Sequence, residues 1–257
     1  MHKKSSPAHF HGKDPLSHVI EARRKGATVT SEIHGAELPG HYSAAADSAK
    51  ETAFLFTVLW TLFSAAEISL SLMHWLGLVF LCGWLLWRTG RSAILGWARL
   101  ERLHRLIEEE RWEIEHHRAQ EKEELRALYA AKGFSGKLLD EAVEVLMADD
   151  NRLLQVMLEE ELGLDLNSFE HPLKQAAGSF VGAAVAGAAM ALCLFFSPEW
   201  TMPWSLIALA LLIIATSSVF VARFEKNRLS PAVVWNTSVA ALATGTAYFL
   251  GLIVLQK

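Results

Sequence analysis

The chain has 257 residues, of which 52% are hydrophobic, and it contains nine tryptophans. Its formal net charge is -4, and no basic patch is evident, which argues against nucleic acid as a partner. The apolar residues are gathered in long stretches rather than spread along the chain, a distribution typical of membrane proteins.

The N-terminal segment is polar, and we predict a disordered cytosolic tail over residues 1–48. Its histidines are His2, His9, His11, His18, His34 and His41. Such a density favours two interpretations, weak gathering of metal ions or a polar tail without that role, and the sequence leaves both open.

Five stretches are apolar enough to cross a bilayer, each with about 20 residues once its flanks are included. They cover residues 52–73, 75–87, 176–196, 204–222 and 232–255. Residues 49–96 are therefore predicted to hold transmembrane helices 1 and 2, and residues 173–257 helices 3 to 5. Small residues in the third span, GSFVGAAVAGAA, predict close helix packing.

Lysine and arginine flank these spans unevenly. They lie before the first span, after the second, before the third and after the fourth, whereas the connections at His74 and at residues 197–203 carry none. Because basic residues favour the cytosolic side, we predict a cytosolic N-terminus and a C-terminus on the far side. Residues 97–172 then form one cytosolic insertion.

The insertion is predicted to be helical throughout. Residues 97–131 contain neither proline nor glycine and consist largely of good helix formers, which predicts one continuous helix that extends the second span. Ser135 is placed to cap a second helix, and Asp149 or Asp150 a third. The predicted fold is therefore an all-α membrane protein with five transmembrane helices and a cytosolic three-helix domain over residues 97–172.

Glutamates on the first helix of the insertion share one face. At about 100° per residue, four of them fall within an arc of roughly 80°, and these are Glu110, Glu113, Glu121 and Glu124. Carboxylates that lie so near each other repel, and a bound divalent cation is the usual reason why a protein tolerates such a cluster. The alternative is an ordinary solvated face, because the block from residue 108 to 124 is rich in glutamate throughout.

A second group of candidate ligands lies on the third helix, where Met157 and Glu161 stand four residues apart and share a face. A thioether and a carboxylate together suit a borderline transition metal. The segment VMLEEELG that holds them follows the glutamate block after a long interval.

The pattern Glu-x2-Glu-x7-Glu-x2-Glu, followed at this interval by VMLEEELG, resembles the vacuolar iron transporter family. The resemblance covers residues 45–257 and is strongest over residues 108–175. It implies an integral membrane homodimer, not an enzyme, that exports Fe²⁺ or Mn²⁺ from the cytosol in exchange for protons, with Zn²⁺ possible and no organic cofactor. It implies an inner cell membrane in a prokaryote or a vacuole-type membrane in a eukaryote. The implied metal ligands are Glu110, Glu113, Glu121, Glu124, Met157 and Glu161.

The chain departs from the family pattern at three places. Leu158 replaces a second methionine, SAKETAF replaces the family's G-A-N-D-G-type motif in the first span, and WRTGRSA replaces its second-span motif. Glu51 is then the candidate for the aspartate's place in the ion pathway, whereas Arg88 and Arg91 would oppose a cation. The alternative function is therefore a non-transporting relative that buffers or senses metal.

Further candidates are isolated. Glu67 lies within the predicted first span and is either a pathway residue or a group that reaches the far interface. His116 and His117 are either accessory ligands or polar surface. The pairs Glu101-x2-His104 and Glu113-x2-His116 suggest a di-iron oxidase as a third function, but both lie on one helix, whereas such a site needs two facing helices.

Overall fold

A computed structural model describes residues 39–164 and 170–255. The helices in these ranges are α1 (Gly40–Ala65), α2 (Leu70–His116), α3 (Arg118–Ala131), α4 (Gly136–Met147), α5 (Asp150–Glu160), α6 (Pro172–Phe196), α7 (Met202–Phe224) and α8 (Leu229–Leu255). They form two compact units. The membrane unit comprises residues 39–97 and 170–255, and the insertion unit comprises residues 98–164.

Four helices of the described chain are long and apolar enough to cross a membrane: Leu70–His116, Pro172–Phe196, Met202–Phe224 and Leu229–Val254. They correspond to the second to fifth predicted spans, and the protein is an integral membrane protein. Helix α1 is long enough but less apolar than these four helices, because Asp47, Lys50 and Glu51 interrupt its first half. Its apolar part begins only at Thr52.

The predicted boundary between the first two spans is wrong. The turn lies at residues 66–69 rather than at His74, which is inside α2 with its Nε2 3.0 Å from the carbonyl oxygen of Leu194. Glu67 adopts a left-handed φ of 54°, and the next amide, that of Ile68, donates to the carbonyl of Phe63. This ending is usually built with glycine. Glu67 is therefore an exposed turn residue and not an ionisable group within a span.

The predicted tail is also too long, because α1 begins at Gly40, directly after Pro39. Residues 40–48 are helical, and the remaining tail histidines lie outside the described residues. His41 donates its backbone N–H to Glu170 Oε2 at 2.7 Å, and its Nδ1 lies 2.6 Å from Glu170 Oε1. Burial raises the pKa of Glu170, but hydrogen bonds from Lys174 and His41 outweigh it and hold that pKa below its usual value. This contact fixes the start of α1 beside the start of α6.

Helices α1 and α6 approach each other closely, as the small residues of the third span predict. A Cβ added at Gly178 or Gly182 would overlap the backbone carbonyls of His41 and Ala45, so only glycine permits this approach. Ser48 Oγ and Ser179 Oγ bond across the same interface at 2.7 Å, and both side chains are fully buried. Backbone proximity and a hydroxyl pair thus hold the two helices together.

The insertion unit differs from the prediction at one point. Its first helix is not continuous: α2 ends at His116, His117 takes a non-helical conformation (φ −127°, ψ 28°), and α3 starts at Arg118. The unit therefore has four helical segments rather than three. No proline or glycine marks the break. It gives α3 its own N-terminus, with Glu121 in the first turn, where the helix dipole favours negative charge.

The remaining segments of the unit begin where the predicted caps place them. Ser135 and Asp149 are the N-cap residues of α4 and α5, and the Asp149 carboxylate accepts a hydrogen bond from the Arg152 amide at 2.8 Å. Buried apolar side chains from all four segments form one core. They include Leu103, Ile114, Leu125, Val143, Leu153, Met157 and Leu158.

Replacing Gly182 by alanine should destabilise the protein, because the new methyl group must push α1 away from α6. Overpacking of this kind costs about 1–3 kcal/mol. Gly83→Ala is the matched control, since a Cβ at Gly83 meets no atom within 4 Å. That substitution should be neutral or gain up to about 1 kcal/mol from helix propensity. Thermal unfolding in detergent measures both, and equal behaviour of the two variants would contradict the close packing.

Candidate metal centre

Three helical segments each bring one buried glutamate to the same point in the insertion unit. Glu110 comes from the last turns of α2, Glu121 from the first turn of α3, and Glu161 caps the C-terminal end of α5. One carboxylate oxygen from each lies within 4.8 Å of the others. Two oxygens that share one cation at about 2.0–2.6 Å are at most about 4–5 Å apart. These three oxygens are therefore close enough to bind a single ion.

The local sequence explains how Glu161 reaches this position. Its backbone N–H donates to the carbonyl of Met157 at 2.8 Å, which continues the helical bonding one residue past α5. Gly163 follows with a left-handed φ of 68°, and the Leu164 amide returns to the carbonyl of Leu158. This ending turns the chain sharply and keeps Glu161 pointing into the unit, where only 2% of its surface is exposed.

Burial and mutual repulsion dominate the electrostatics of the site. Glu121 and Glu124 have no exposed surface, and Glu110 is 4% exposed. Burial, reinforced by the charges of Glu110, Glu124 and Glu113, raises the pKa of Glu121 to about 10. Burial, followed by the charges of Glu124, Glu121 and Glu113 and a hydrogen bond with Glu124, raises the pKa of Glu161 to about 9.

All four glutamates of the predicted stripe therefore belong to one electrostatic cluster with Glu161. Carboxylic acids are rarely buried to this degree unless another group compensates their charge. A divalent cation would replace the protons and reverse the repulsion, because one centre of positive charge would lie between the oxygens. The donor set of oxygens suits such an ion.

Met157 lies in the hydrophobic core one turn before Glu161 and has no exposed surface. Leu158 is also buried in this core, at the position where the resemblance expects a second methionine. The helix register therefore offers one thioether on the buried side of α5. Its position one turn before Glu161 fits a soft ligand, and packing alone accounts equally well for a buried apolar side chain.

The other candidate ligands lie elsewhere. His116 is exposed, stacks on Trp112 with ring centroids 4.5 Å apart, and its Nδ1 lies 2.9 Å from the Trp112 carbonyl oxygen. His117 meets the edge of the same indole. Among the described residues, the three-carboxylate group includes no histidine. His104 is exposed, so neither Glu-x2-His pair brings its histidine to the buried carboxylates.

In the membrane unit, Glu51 forms an ion pair with Arg88, whose Nε lies 2.9 Å from Glu51 Oε2. The Arg88 side chain is only 11% exposed, whereas that of Glu51 is 44% exposed. Beside this pair, the Trp84 indole donates to Thr52 Oγ1 at 2.9 Å. The proposed pathway acid is thus held by an arginine of the same chain.

Apolar helices of spanning length and a buried carboxylate cluster that could hold a metal ion are the features of a membrane protein of the metal-transporter class. A family profile described as the VIT family matches residues 98–252, more than half of the chain. The chain therefore belongs to this family, the vacuolar iron transporters, whose members are metal transporters. Among curated proteins, no significant match to the chain is found.

Every residue of the three-carboxylate group is among the candidate ligands named from the sequence: Glu110 and Glu121 belong to the acidic face, and Glu161 belongs to the second group of candidates, on the third helix. Two features of the chain have no signal in the sequence. In the insertion unit, neither glycine nor proline marks the helix break at His117. In the membrane unit, no local pattern indicates the contacts among His41, Glu170 and Lys174, since the acid and the histidine lie 129 residues apart.

The raised pKa values predict the pH dependence of the metal-free protein. In the unfolded chain these carboxyl groups ionise near their ordinary pKa of 4.5. In the folded chain the pKa is about 10 for Glu121 and about 9 for Glu161, so both groups keep their protons at neutral pH. Between about pH 5 and 9, the unfolded state therefore binds fewer protons than the folded state, and the free energy of unfolding falls as the pH rises.

Glu121→Gln or Glu161→Gln should raise the melting temperature of the chelator-treated protein at pH 8 and flatten its decline with pH, because an amide cannot ionise. The matched control is Glu123→Gln, which changes an exposed residue of the same helix. Thermal unfolding at pH 5 to 9 tests this expectation. If melting temperature fell with pH in parallel for the wild type and all three variants, these carboxyl groups would not titrate in this way.

Proposed function

We propose that this protein transports Fe²⁺ or Mn²⁺ out of the cytosol in exchange for protons, and that its insertion unit captures the metal. The observation that carries the proposal is the approach of three buried carboxylates from three helical segments to within 4.8 Å. A stripe that only improved solubility would lie on the surface. Membership in the VIT family supports transport as the outcome of metal capture.

In this proposal, Glu110, Glu121 and Glu161 form the centre of the site, and Glu113 and Glu124 complete its oxygen ligands. Met157 supplies the soft ligand that biases the site from Mg²⁺ and Ca²⁺ towards transition metals, with Zn²⁺ as a further candidate. The metal is the transported substrate. Because protonated carboxyl groups do not ligate, metal binding near neutral pH must release protons from Glu121 and Glu161.

The topology that we propose has five spans, with α1 as the first. Helix α1 packs against α6, α7 and α8 within the membrane unit, and Ala53 and Phe56 belong to that unit's core. The distribution of basic residues supports a cytosolic N-terminus. The exposed apolar side chains of α8, such as Trp235, Leu242 and Phe249, fit contact with lipid or with a second copy in a homodimer.

A specific observation favours the second candidate, a membrane protein that buffers or senses metal without transporting it. The Glu51–Arg88 ion pair places a fixed cation on the acid that would otherwise serve the ion pathway. A charged pair of this kind can close a cation path, since the arginine guanidinium never loses its charge. Under this alternative, the insertion unit binds metal and nothing crosses the bilayer.

Metal uptake into proteoliposomes separates the two candidates. The purified full chain is reconstituted with Fe²⁺ or Mn²⁺ outside and a proton gradient across the bilayer. For a transporter we expect uptake by the wild type and loss of most of it in Glu113→Ala/Glu161→Ala. The matched control, Glu108→Ala/Glu123→Ala, removes two exposed glutamates from the same block and should transport normally. Metal binding without uptake would instead establish buffering or sensing.

Met157→Leu should weaken binding of Fe²⁺ or Mn²⁺ by roughly ten-fold, or about 1.4 kcal/mol, and leave Mg²⁺ binding unchanged. The reason is that a soft ligand contributes to transition metals and not to Mg²⁺. Leucine conserves the core volume, so stability should change by less than about 1.5 kcal/mol. Calorimetric titration of the full chain in detergent provides the measurement. An equal loss for all three ions would mean that Met157 acts through packing alone.

A further inference from the structure

Three basic residues of the membrane unit have an acidic partner. Lys50 Nζ lies 2.8 Å from Asp47 Oδ1, Lys174 Nζ lies 2.8 Å from Glu170 Oε1, and Arg88 pairs with Glu51 at 2.9 Å. Their charges are therefore compensated within the protein. Other basic residues of this unit lack such a partner among the described residues.

Three such cations lie in the last turn of α7 and in the connection that follows it, before α8: Arg223, Lys226 and Arg228. All three are exposed, and none forms an ion pair with another residue in the described part of the chain. The one acid in the turn, Glu225, accepts a hydrogen bond from Asn227 Nδ2 at 2.8 Å. The turn thus presents a concentrated positive charge. We refer to these three residues as the cationic turn.

The backbone holds one of these cations in an unfavourable conformation. Lys226 adopts a left-handed φ of 55°, and the following Asn227 amide donates to the Ala222 carbonyl at 2.8 Å. Glycine is the usual residue at this position of a helix end, because other side chains are strained there. A lysine at such a position suggests that its charge has a role, since glycine would fit the turn better.

Three aromatic side chains lie next to the cationic turn. The ring of Tyr42 at the start of α1 lies 6.2 Å from that of Phe220 and 6.4 Å from that of Phe224, and the two phenylalanines are 5.9 Å apart. All three are more than 40% exposed. Tyrosine is enriched at the level of the lipid headgroups, and Tyr42 is the member of the cluster that indicates this level. The cluster therefore places the cationic turn at that level.

We propose that the cationic turn binds the phosphate groups of anionic phospholipids, with the three aromatic rings packed between the adjoining acyl chains. The leaflet is the cytosolic one if the orientation proposed above holds, and the site itself does not depend on metal transport. Each basic residue near an anionic membrane surface strengthens attraction by about five-fold. The three together should therefore strengthen binding by roughly a hundred-fold.

The test uses the full chain in neutral detergent, titrated with phosphatidylserine or phosphatidylcholine in mixed micelles, with thermal stability and native mass spectrometry as readouts. We expect phosphatidylserine to bind and stabilise the wild type, and Arg223→Gln/Lys226→Gln/Arg228→Gln to lose roughly a hundred-fold in apparent affinity. The control Arg105→Gln/Arg111→Gln/Lys122→Gln removes the same charge from exposed sites in the insertion unit and should bind normally. Equal loss in both variants, or no preference over phosphatidylcholine, would overturn the proposal. A matching response to inorganic phosphate would also overturn it.

Lys226→Gly provides a second, independent test because its two expected effects have opposite signs. Glycine relieves the left-handed strain, so the melting temperature without anionic lipid should rise. Loss of the charge should weaken phosphatidylserine binding by about five-fold. A variant that is more stable and binds phosphatidylserine as tightly as the wild type would show that Lys226 takes no part in lipid binding.

Discussion

Repulsion among buried carboxylates is the interaction on which the rest of the insertion unit depends. Glu110, Glu121, Glu124 and Glu161 have almost no exposed surface. Carboxylate oxygens of Glu110, Glu121 and Glu161 lie within 4.8 Å of one another, close enough for one ion to bind all three. In a medium of low dielectric constant, charges at such distances interact strongly. The site is therefore stable only when protons or a cation neutralise most of its charge. Its electrostatics favour an exchange of protons for metal.

This exchange links the site to the proposed transport. A site that holds protons in the absence of metal and releases them on binding makes metal affinity rise with pH. Hydrophobic packing supports the arrangement, since Leu125, Leu153, Met157 and Leu158 surround the same helices and hold the glutamates in place. In the membrane unit, the glycines of α6 and the Ser48–Ser179 pair fix α1, the helix that carries Glu51. The Glu51–Arg88 pair is the feature that favours metal sensing over the proposed transport.

Much of this architecture follows from the sequence because it depends on periodic patterns. Long apolar stretches predict the spans, and the spacing of Glu110, Glu113, Glu121 and Glu124 predicts one acidic face. The failures have a shared physical cause. The turn at Glu67 uses a left-handed residue other than glycine, and the break at His117 involves neither glycine nor proline. The residue types at these two positions therefore give no local signal of a helix end. The start of α1 depends on Glu170, which is distant in the chain.

Locating a bound metal ion tests the central claim most directly. Crystals of the full chain grown with Mn²⁺ would give an anomalous difference map at the manganese absorption edge. We predict one dominant peak in the insertion unit between the carboxylate oxygens of Glu110, Glu121 and Glu161, and its absence in the Glu113→Ala/Glu161→Ala variant. A peak only at His116 and His117, or no peak in the insertion unit, would contradict the claim that the buried carboxylates hold the metal.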